Sequence, residues 1–264
     1  MTYRLRSFVV RVVFALARLL PLRRRVVLAT THDAVLRGNL AVIRDALEEM
    51  DSPIPVVVIA HAAPRSRRAR LGALWAAARA AYHLATARLF IVDDYFFPIY
   101  VIRPRRGTAI VQTWHASGAF KKWGYSVLDK SFGVTEEVTK RVRIHGNYDV
   151  CLVSSQAVAP FYAEAFRQPL DLFVADVGVP RTDALFDVDR IARVRHRTRE
   201  HYGIPDDKRV VLYAPTFRGD SVGRAVAGPT LDLAALEARL GADHVVLLRL
   251  HPFVREGIAT TAGL

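Results

Sequence analysis

Residues 111–122 read Val111-Gln112-Thr113-Trp114-His115-Ala116-Ser117-Gly118-Ala119-Phe120-Lys121-Lys122, an apolar strand running into a small-residue turn. In parallel α/β sheets, ligands sit outside the carboxyl ends of the strands, where this pattern places His115. A histidine titrating near neutrality suits general-base work. The amides of Ala116, Ser117 and Gly118 can form an anion nest, and Lys121 and Lys122 add positive charge beside it. Two later stretches end in the same way. Residues 210–218 are a strand that delivers the Thr216 hydroxyl and the Arg218 guanidinium, and residues 245–252 carry Arg249, His251 and Pro252. Proline stops a strand, which leaves His251 at a carboxyl end. Two domains facing each other across a cleft would let His115 and His251 converge, although spacing alone does not establish it.

The elements that must hold these residues alternate in type. Short apolar runs at 26–30, 56–60, 89–92, 110–113 and 150–154 read as strands. Helical patterns at 40–50, 67–87 and 157–166 lie among them, indicating a parallel sheet covered on both faces. Residues 183–202 lead towards a second domain, and the five arginines of 190–199 lie around all sides of a helix, most simply a solvated surface. Residues 209–215, 231–240 and 244–250 then open a second sheet as strand, helix and strand. No GxGxxG and no GxxxxGK[ST] occurs, so neither a dinucleotide fingerprint nor a P-loop is present. Asp93-Asp94 reads as a polar strand end, and no metal site is expected.

Composition narrows the partners. The chain has 264 residues, 52% of them hydrophobic, enough for two cored domains and too apolar for disorder. A single cysteine excludes a disulfide scaffold. The net charge of +13 calls for anionic partners, and residues 1–25 supply seven arginines with no carboxylate. Residues 8–20 form an apolar run too short to span a bilayer, since spanning takes about 20 apolar residues. Arg4, Arg11, Arg18 and Arg25 recur every seven residues, so the first three share one stripe of a helix. With Arg23 and Arg24, they describe a basic amphipathic segment over residues 1–25. Two readings stand: a helix lying on an anionic membrane, or a helix packed on its own domain with its arginines facing water.

The four motifs together resemble the CDP-glycerol glycerophosphotransferase family of teichoic-acid polymerases and primases. The family pattern runs approximately QTWHGTPLKK, G-PRND, LYAPTWR and K-HP. The corresponding segments here are Gln112–Lys122, Gly178-Val179-Pro180-Arg181-Thr182-Asp183, Leu212–Arg218 and Arg249-Leu250-His251-Pro252. The resemblance implies a GT-B-like fold, two Rossmann-like domains spanning 26–185 and 186–264 and facing a cleft. It implies transfer of glycerol or ribitol phosphate from CDP-glycerol or CDP-ribitol to a lipid-linked or polymer acceptor, with CMP leaving. It also implies peripheral attachment at the cytoplasmic face of the membrane, with no cofactor and no nucleic-acid partner. His115 is then the candidate base and His251 the candidate group at the diphosphate. Thr113, Ser117, Gly118, Lys121, Lys122, Arg181, Asp183, Thr216, Arg218 and Arg249 are candidates for substrate binding. Arg181 and Asp183 have a second reading as an ion pair pinning the interdomain joint.

The sequence departs from the family at several positions, Phe120 and Trp123 among them, and two departures weigh most. Ala116-Ser117 replaces Gly-Thr, and alanine tolerates a positive φ less well than glycine. The family's donor-binding D-Y-S-S segment has no counterpart before Leu264, so the second domain is expected to be incomplete. The chain alone is then expected to be weakly active or to act as a membrane-associated binder of nucleotide or polymer. A nucleic-acid binder ranks below both, because the charge concentrates on an apolar helix.

Overall fold

The computed structural model describes residues 3–61, 67–128, 136–218, 226–227, 232–251 and 254. They divide into two compact units, Met1–Asp183 and Ala184–Leu264. The first runs α1 (Tyr3–Ala17), β1 (Arg23–Thr30), α2 (Gly38–Glu48), β2 (Val56–Ala60), α3 (Arg67–Thr86) and β3 (Ala87–Val92). It continues with α4 (Phe97–Tyr100), β4 (Ala109–Gln112), α5 (Glu136–Arg141), β5 (Val150–Leu152), α6 (Ala159–Phe166) and β6 (Phe173–Val174). The six strands form one sheet, ordered β2-β1-β3-β4-β5-β6. Every pairing in it is parallel.

The continuous apolar runs are explained by two-sided burial. Along β1, Val27 and Ala29 pack with Val10 and Phe14 of α1 and with Ala77, Ala81 and Leu84 of α3. Val26 and Leu28 point to the opposite face, against Leu40, Ile43 and Leu47 of α2. Alanines at 77, 80, 81 and 85 make that side of α3 nearly flat, which lets the helix lie close to the sheet.

The N-terminal segment is shorter as a helix than the expected 1–25. It spans Tyr3–Ala17, and Arg23, Arg24 and Arg25 open β1 instead, where the sheet supplies the partners for their backbone. The Arg25 side chain is tied down, donating to the Thr86 hydroxyl and lying over the Tyr82 ring. Helix α1 buries Ser7, Val10, Phe14 and Ala17, a narrow stripe at helical spacing. Arg11 donates to the Val101 carbonyl, and Arg4 and Arg18 are exposed. Phe8, Leu16 and Leu19 remain 64%, 65% and 84% exposed. Packing on its own unit therefore accounts for only part of the apolar surface of α1.

The second unit contains α7 (Val188–Tyr202), β7 (Arg209–Tyr213), β8 (Phe217–Arg218), β9 (Val226–Ala227), α8 (Leu233–Leu240) and β10 (His244–Leu248). Asp187 and Asp232 cap the two helices, each accepting a backbone N–H three residues on. Arg190, Arg193, Arg195 and Arg197 are exposed on α7, the solvated surface expected from their spacing. Strands β7 and β10 pair in parallel, and β8 and β9 form a short antiparallel pair. Leu231, read as the start of α8, lies outside the described residues, as does Pro252.

Candidate functional site

In the first unit, three neighbouring strands end side by side, and each delivers polar residues to the same edge. Strand β1 leads into Thr31 and His32, β3 into Asp93 and Asp94, and β4 into Thr113, Trp114 and His115. His115 is 37% exposed, with Nδ1 3.2 Å from the Asp93 carbonyl and 3.9 Å from Asp94 Oδ1. A carbonyl and a carboxylate only accept, so Nδ1 carries the proton of the neutral ring and Nε2 keeps its lone pair. Burial lowers the pKa of His115 from its ordinary value, while Asp94 and the Asp93 carbonyl oppose the shift. The neutral, proton-accepting form is thus the one present near neutrality. Asp93 lies deeper, and burial pushes its carboxyl up to about 6.

The turn before His115 is built by side chains. Gln112 accepts from the Trp114 N–H at 2.8 Å through Oε1 and donates to the Tyr148 hydroxyl at 2.9 Å. Trp114 thereby sits at φ 52°, a left-handed conformation unusual for a bulky residue. The positive φ falls on Trp114, and Ala116 does not adopt one, so alanine in place of the family's glycine causes no strain here. The amides of 116–118 also lack the alternation of right- and left-handed residues that makes an anion nest. Thr113 is buried, and its hydroxyl donates to the Val92 carbonyl at 3.3 Å, so it holds the turn. Ser117, Lys121 and Lys122 are exposed on the following loop, with Gly118 half-buried among them.

A second clamp comes from α2. Asn39 is buried, and its Nδ2 donates to the Thr113 and Trp114 carbonyls at 3.2 and 2.8 Å. Its Oδ1 accepts from the Arg181 N–H at 3.0 Å. Arg181 Nη1 in turn donates to the His115 carbonyl at 2.7 Å. The Arg181 side chain therefore goes to the histidine's backbone and not to Asp183, which is exposed. Sequence reasoning missed Asn39, whose partners lie 74 to 142 residues away. It also left His32 and Asp94 unassigned. Their signal was a polar cluster directly after an apolar strand, the same signal that marked His115.

Behind Trp114 lies an aromatic cluster in which His145 is fully buried and stacks on Phe166 at 3.8 Å. Neither of its ring nitrogens has a hydrogen-bond partner among the described residues. Burial holds its pKa down at about 3, against about 6.5 in an unfolded chain. A depressed histidine contributes stability that is present above the unfolded pKa and is lost as pH falls, because only the unfolded chain takes up the proton. Between pH 7 and pH 5 this one group is worth about 2 kcal/mol. The buried His83, lowered to about 4 mainly by burial, acts in the same direction, and Asp93 acts in the opposite one. Thermal unfolding should therefore show a smaller drop in Tm between pH 7 and 5 for His145→Phe than for the wild type. Equal drops would mean that His145 is not buried neutral.

In the second unit, β7 and β10 end together, and Arg249 N–H donates to the Tyr213 carbonyl at 2.9 Å beyond the last strand pair. Thr216 follows β7, Arg249 and His251 follow β10, and Arg218 lies on the short strand β8. Arg218 Nη1 donates to Thr216 Oγ1 at 2.6 Å, and the His251 ring lies 4.6 Å from that of Phe217. Among the described residues, no three or more His, Cys, Asp or Glu side chains are grouped to hold a metal ion. No described helix is long and apolar enough to cross a membrane.

A six-stranded parallel α/β unit thus carries a half-buried histidine at its carboxyl edge, and a second unit with a parallel strand pair follows it. The chain belongs to the CDP-glycerol:poly(glycerophosphate) glycerophosphotransferase family, whose model matches residues 12–263. It is 36% identical over 243 residues to the teichoic acid ribitol-phosphate primase of Bacillus spizizenii, covering 91% of this chain and 62% of the relative. It is 34% identical over 257 residues to the teichoic acid ribitol-phosphate polymerase TarK of Staphylococcus aureus, covering 95% of this chain and 48% of that protein. The structure of the wall teichoic acid polymerase TagF superimposes with a TM-score of 0.67 at 19% identity. That match covers 92% of this chain and 61% of TagF and shows a shared fold. The chain thus spans less than two thirds of the length of these relatives.

Proposed function

We propose that the protein transfers a polyol phosphate from a CDP-linked donor to a hydroxyl of a lipid-linked or polymer acceptor, releasing CMP. His115 Nε2 takes the proton of the acceptor hydroxyl as its oxygen bonds to the phosphorus that carries the polyol. The bond from that phosphorus to the CMP oxygen breaks, and CMP leaves with the electron pair. Arg218 and Arg249 neutralise the diphosphate, and Thr216 and His251 donate hydrogen bonds to it, as charge moves onto CMP. In this reading the two units are the two halves of a GT-B-type transferase, with the donor on the second and acceptor activation on the first. Ser117, Lys121 and Lys122 serve the substrate phosphates from the exposed loop.

The observation that carries the reading is the His115 ring, with Nδ1 against the Asp93 carbonyl and Nε2 left as the base. Ribitol phosphate is the favoured unit, because both relatives named above carry that name. The test is CMP release from CDP-ribitol and from CDP-glycerol with a lipid-linked acceptor. Release from CDP-ribitol that depends on acceptor supports the reading. Donor binding without release would favour a binding-only relative, and neither would overturn both.

The same reading places the protein on the cytoplasmic face of the membrane as a peripheral enzyme. Exposed Phe8, Leu16 and Leu19 beside Arg4 and Arg18 supply apolar insertion and charge, each cation near an anionic surface contributing about 1 kcal/mol. Trp75 and Leu71 of α3, the helix that packs on α1, are 73% and 71% exposed as well. Co-sedimentation with anionic vesicles, weakened by salt and lost in a Phe8→Glu/Leu16→Glu variant, is the expected result. Equal sedimentation of the variant would remove α1 from the membrane.

A further inference from the structure

Asp94 faces two histidines. Its Oδ1 is 3.9 Å from His115 Nδ1 and its Oδ2 is 3.6 Å from His32 Nδ1. The two imidazoles lie nearly parallel, 14° apart with centroids 5.6 Å apart. Both rings turn their Nδ1 edges to the same carboxylate, so both Nε2 edges are directed away from it. Asp94 is itself held, with Oδ1 accepting from the Tyr95 N–H at 2.7 Å, and its side chain is only 17% exposed. His32 is the opposite case, with its side chain 66% exposed. An exposed ion pair of this kind adds little to stability, so packing does not account for the arrangement.

We propose that His32 is a second substrate-binding histidine of this site, oriented by Asp94 to bind a phosphate oxyanion beside the hydroxyl that His115 deprotonates. This rests on the transferase reading and extends it. The two rings divide the work by their surroundings. His115 meets the Asp93 carbonyl on one side, and Arg181 bonds to its own carbonyl on the other. His32 meets Asp94 and water, with the buried Asp93 also within electrostatic reach. His32 and Arg181 both disfavour protonation of His115 and so help keep its ring neutral. The phosphate held there belongs either to the donor diphosphate or to the acceptor.

The test has two arms. In the first, imidazole resonances of the protein are followed through a pH titration in wild type, His32→Gln and Asp94→Asn. Removal of His32 should raise the His115 pKa, and loss of the Asp94 charge should lower it. Adding inorganic phosphate should shift the His32 resonances and leave them still in Asp94→Asn. Unchanged His115 titration in His32→Gln, together with no response of His32 to phosphate, overturns the proposal. In the second arm, His32→Gln should raise the KM of one substrate roughly tenfold, the loss of a charge-assisted hydrogen bond, with a smaller change in kcat. A rise confined to CDP-ribitol assigns the phosphate to the donor, and a rise confined to the acceptor assigns it there. No rise for either substrate overturns the proposal. Absence of any CMP release by the wild type would sink the transferase reading, and the titration would still decide whether the pair exists.

Discussion

Replacing His115 with glutamine is expected to cut CMP release by about 10²–10⁴-fold, the usual range for removing a general base. Donor affinity should change little, because the cationic residues at the ends of β7 and β10 belong to the second unit. Single-turnover CMP release and equilibrium binding of the CDP-linked donor would be measured on the same preparation. The pH dependence supplies an independent check. A base works only when unprotonated, so kcat/KM should fall as pH drops through the His115 pKa. Burial places that limb below the ordinary histidine value near 6.5. A glutamine variant that keeps the wild-type rate would remove His115 from the chemistry. A variant that loses donor binding as well would reassign it to the substrate site.

The parts of this architecture that were legible in the sequence are those where burial leaves a local trace. Strand β2 spans Val56–Ala60, the range its apolar run predicts, and β1, β3, β4 and β5 overlap theirs. Two-sided burial demands continuous apolar residues, and such runs are visible without knowledge of the fold. Strand β6 has only two residues and α4 only four, too few for any periodicity to appear. The end of the N-terminal helix was misplaced because arginines at spacing seven continue to Arg25, whereas the backbone turns at residues 18–22 and enters the sheet. At the site, His115 and its loop were legible as a strand end rich in small and basic residues. The left-handed φ of Trp114 was not, since it depends on Gln112 folding back onto the Trp114 N–H. Asn39 was equally hidden, because its work is done on residues far along the chain. Motif order pointed to the family, and the motif residues Gln112 and Arg181 brace the His115 turn, but Asn39, which braces it too, lies outside every motif.

Gly38→Ala should separate these two kinds of residue. Gly38 has φ +53°, and a Cβ there would stand 2.0 Å from Arg181 Nη2 and 2.8 Å from Cζ. The guanidinium is the far end of a flexible chain, so it can move aside, and the fold survives. The expected stability loss is only about 1–3 kcal/mol, chiefly from an alanine in a left-handed conformation. Moving the guanidinium breaks its 2.7 Å hydrogen bond to the His115 carbonyl. The Asn39 side chain still holds the Thr113 and Trp114 carbonyls, but His115 loses its own anchor. Displacing a catalytic group by about 1 Å costs on the order of 10²-fold, so kcat should fall by roughly that amount with little change in donor KM. Arg181→Ala should lose a similar factor and should also raise the His115 pKa, because a cation that disfavours imidazolium is gone. The acidic limb of its rate profile should therefore move to higher pH. If both substitutions act through one hydrogen bond, the double variant should be no slower than the worse single one. Multiplicative losses would show that Arg181 touches substrate in its own right, the other role its place in the family motif allows.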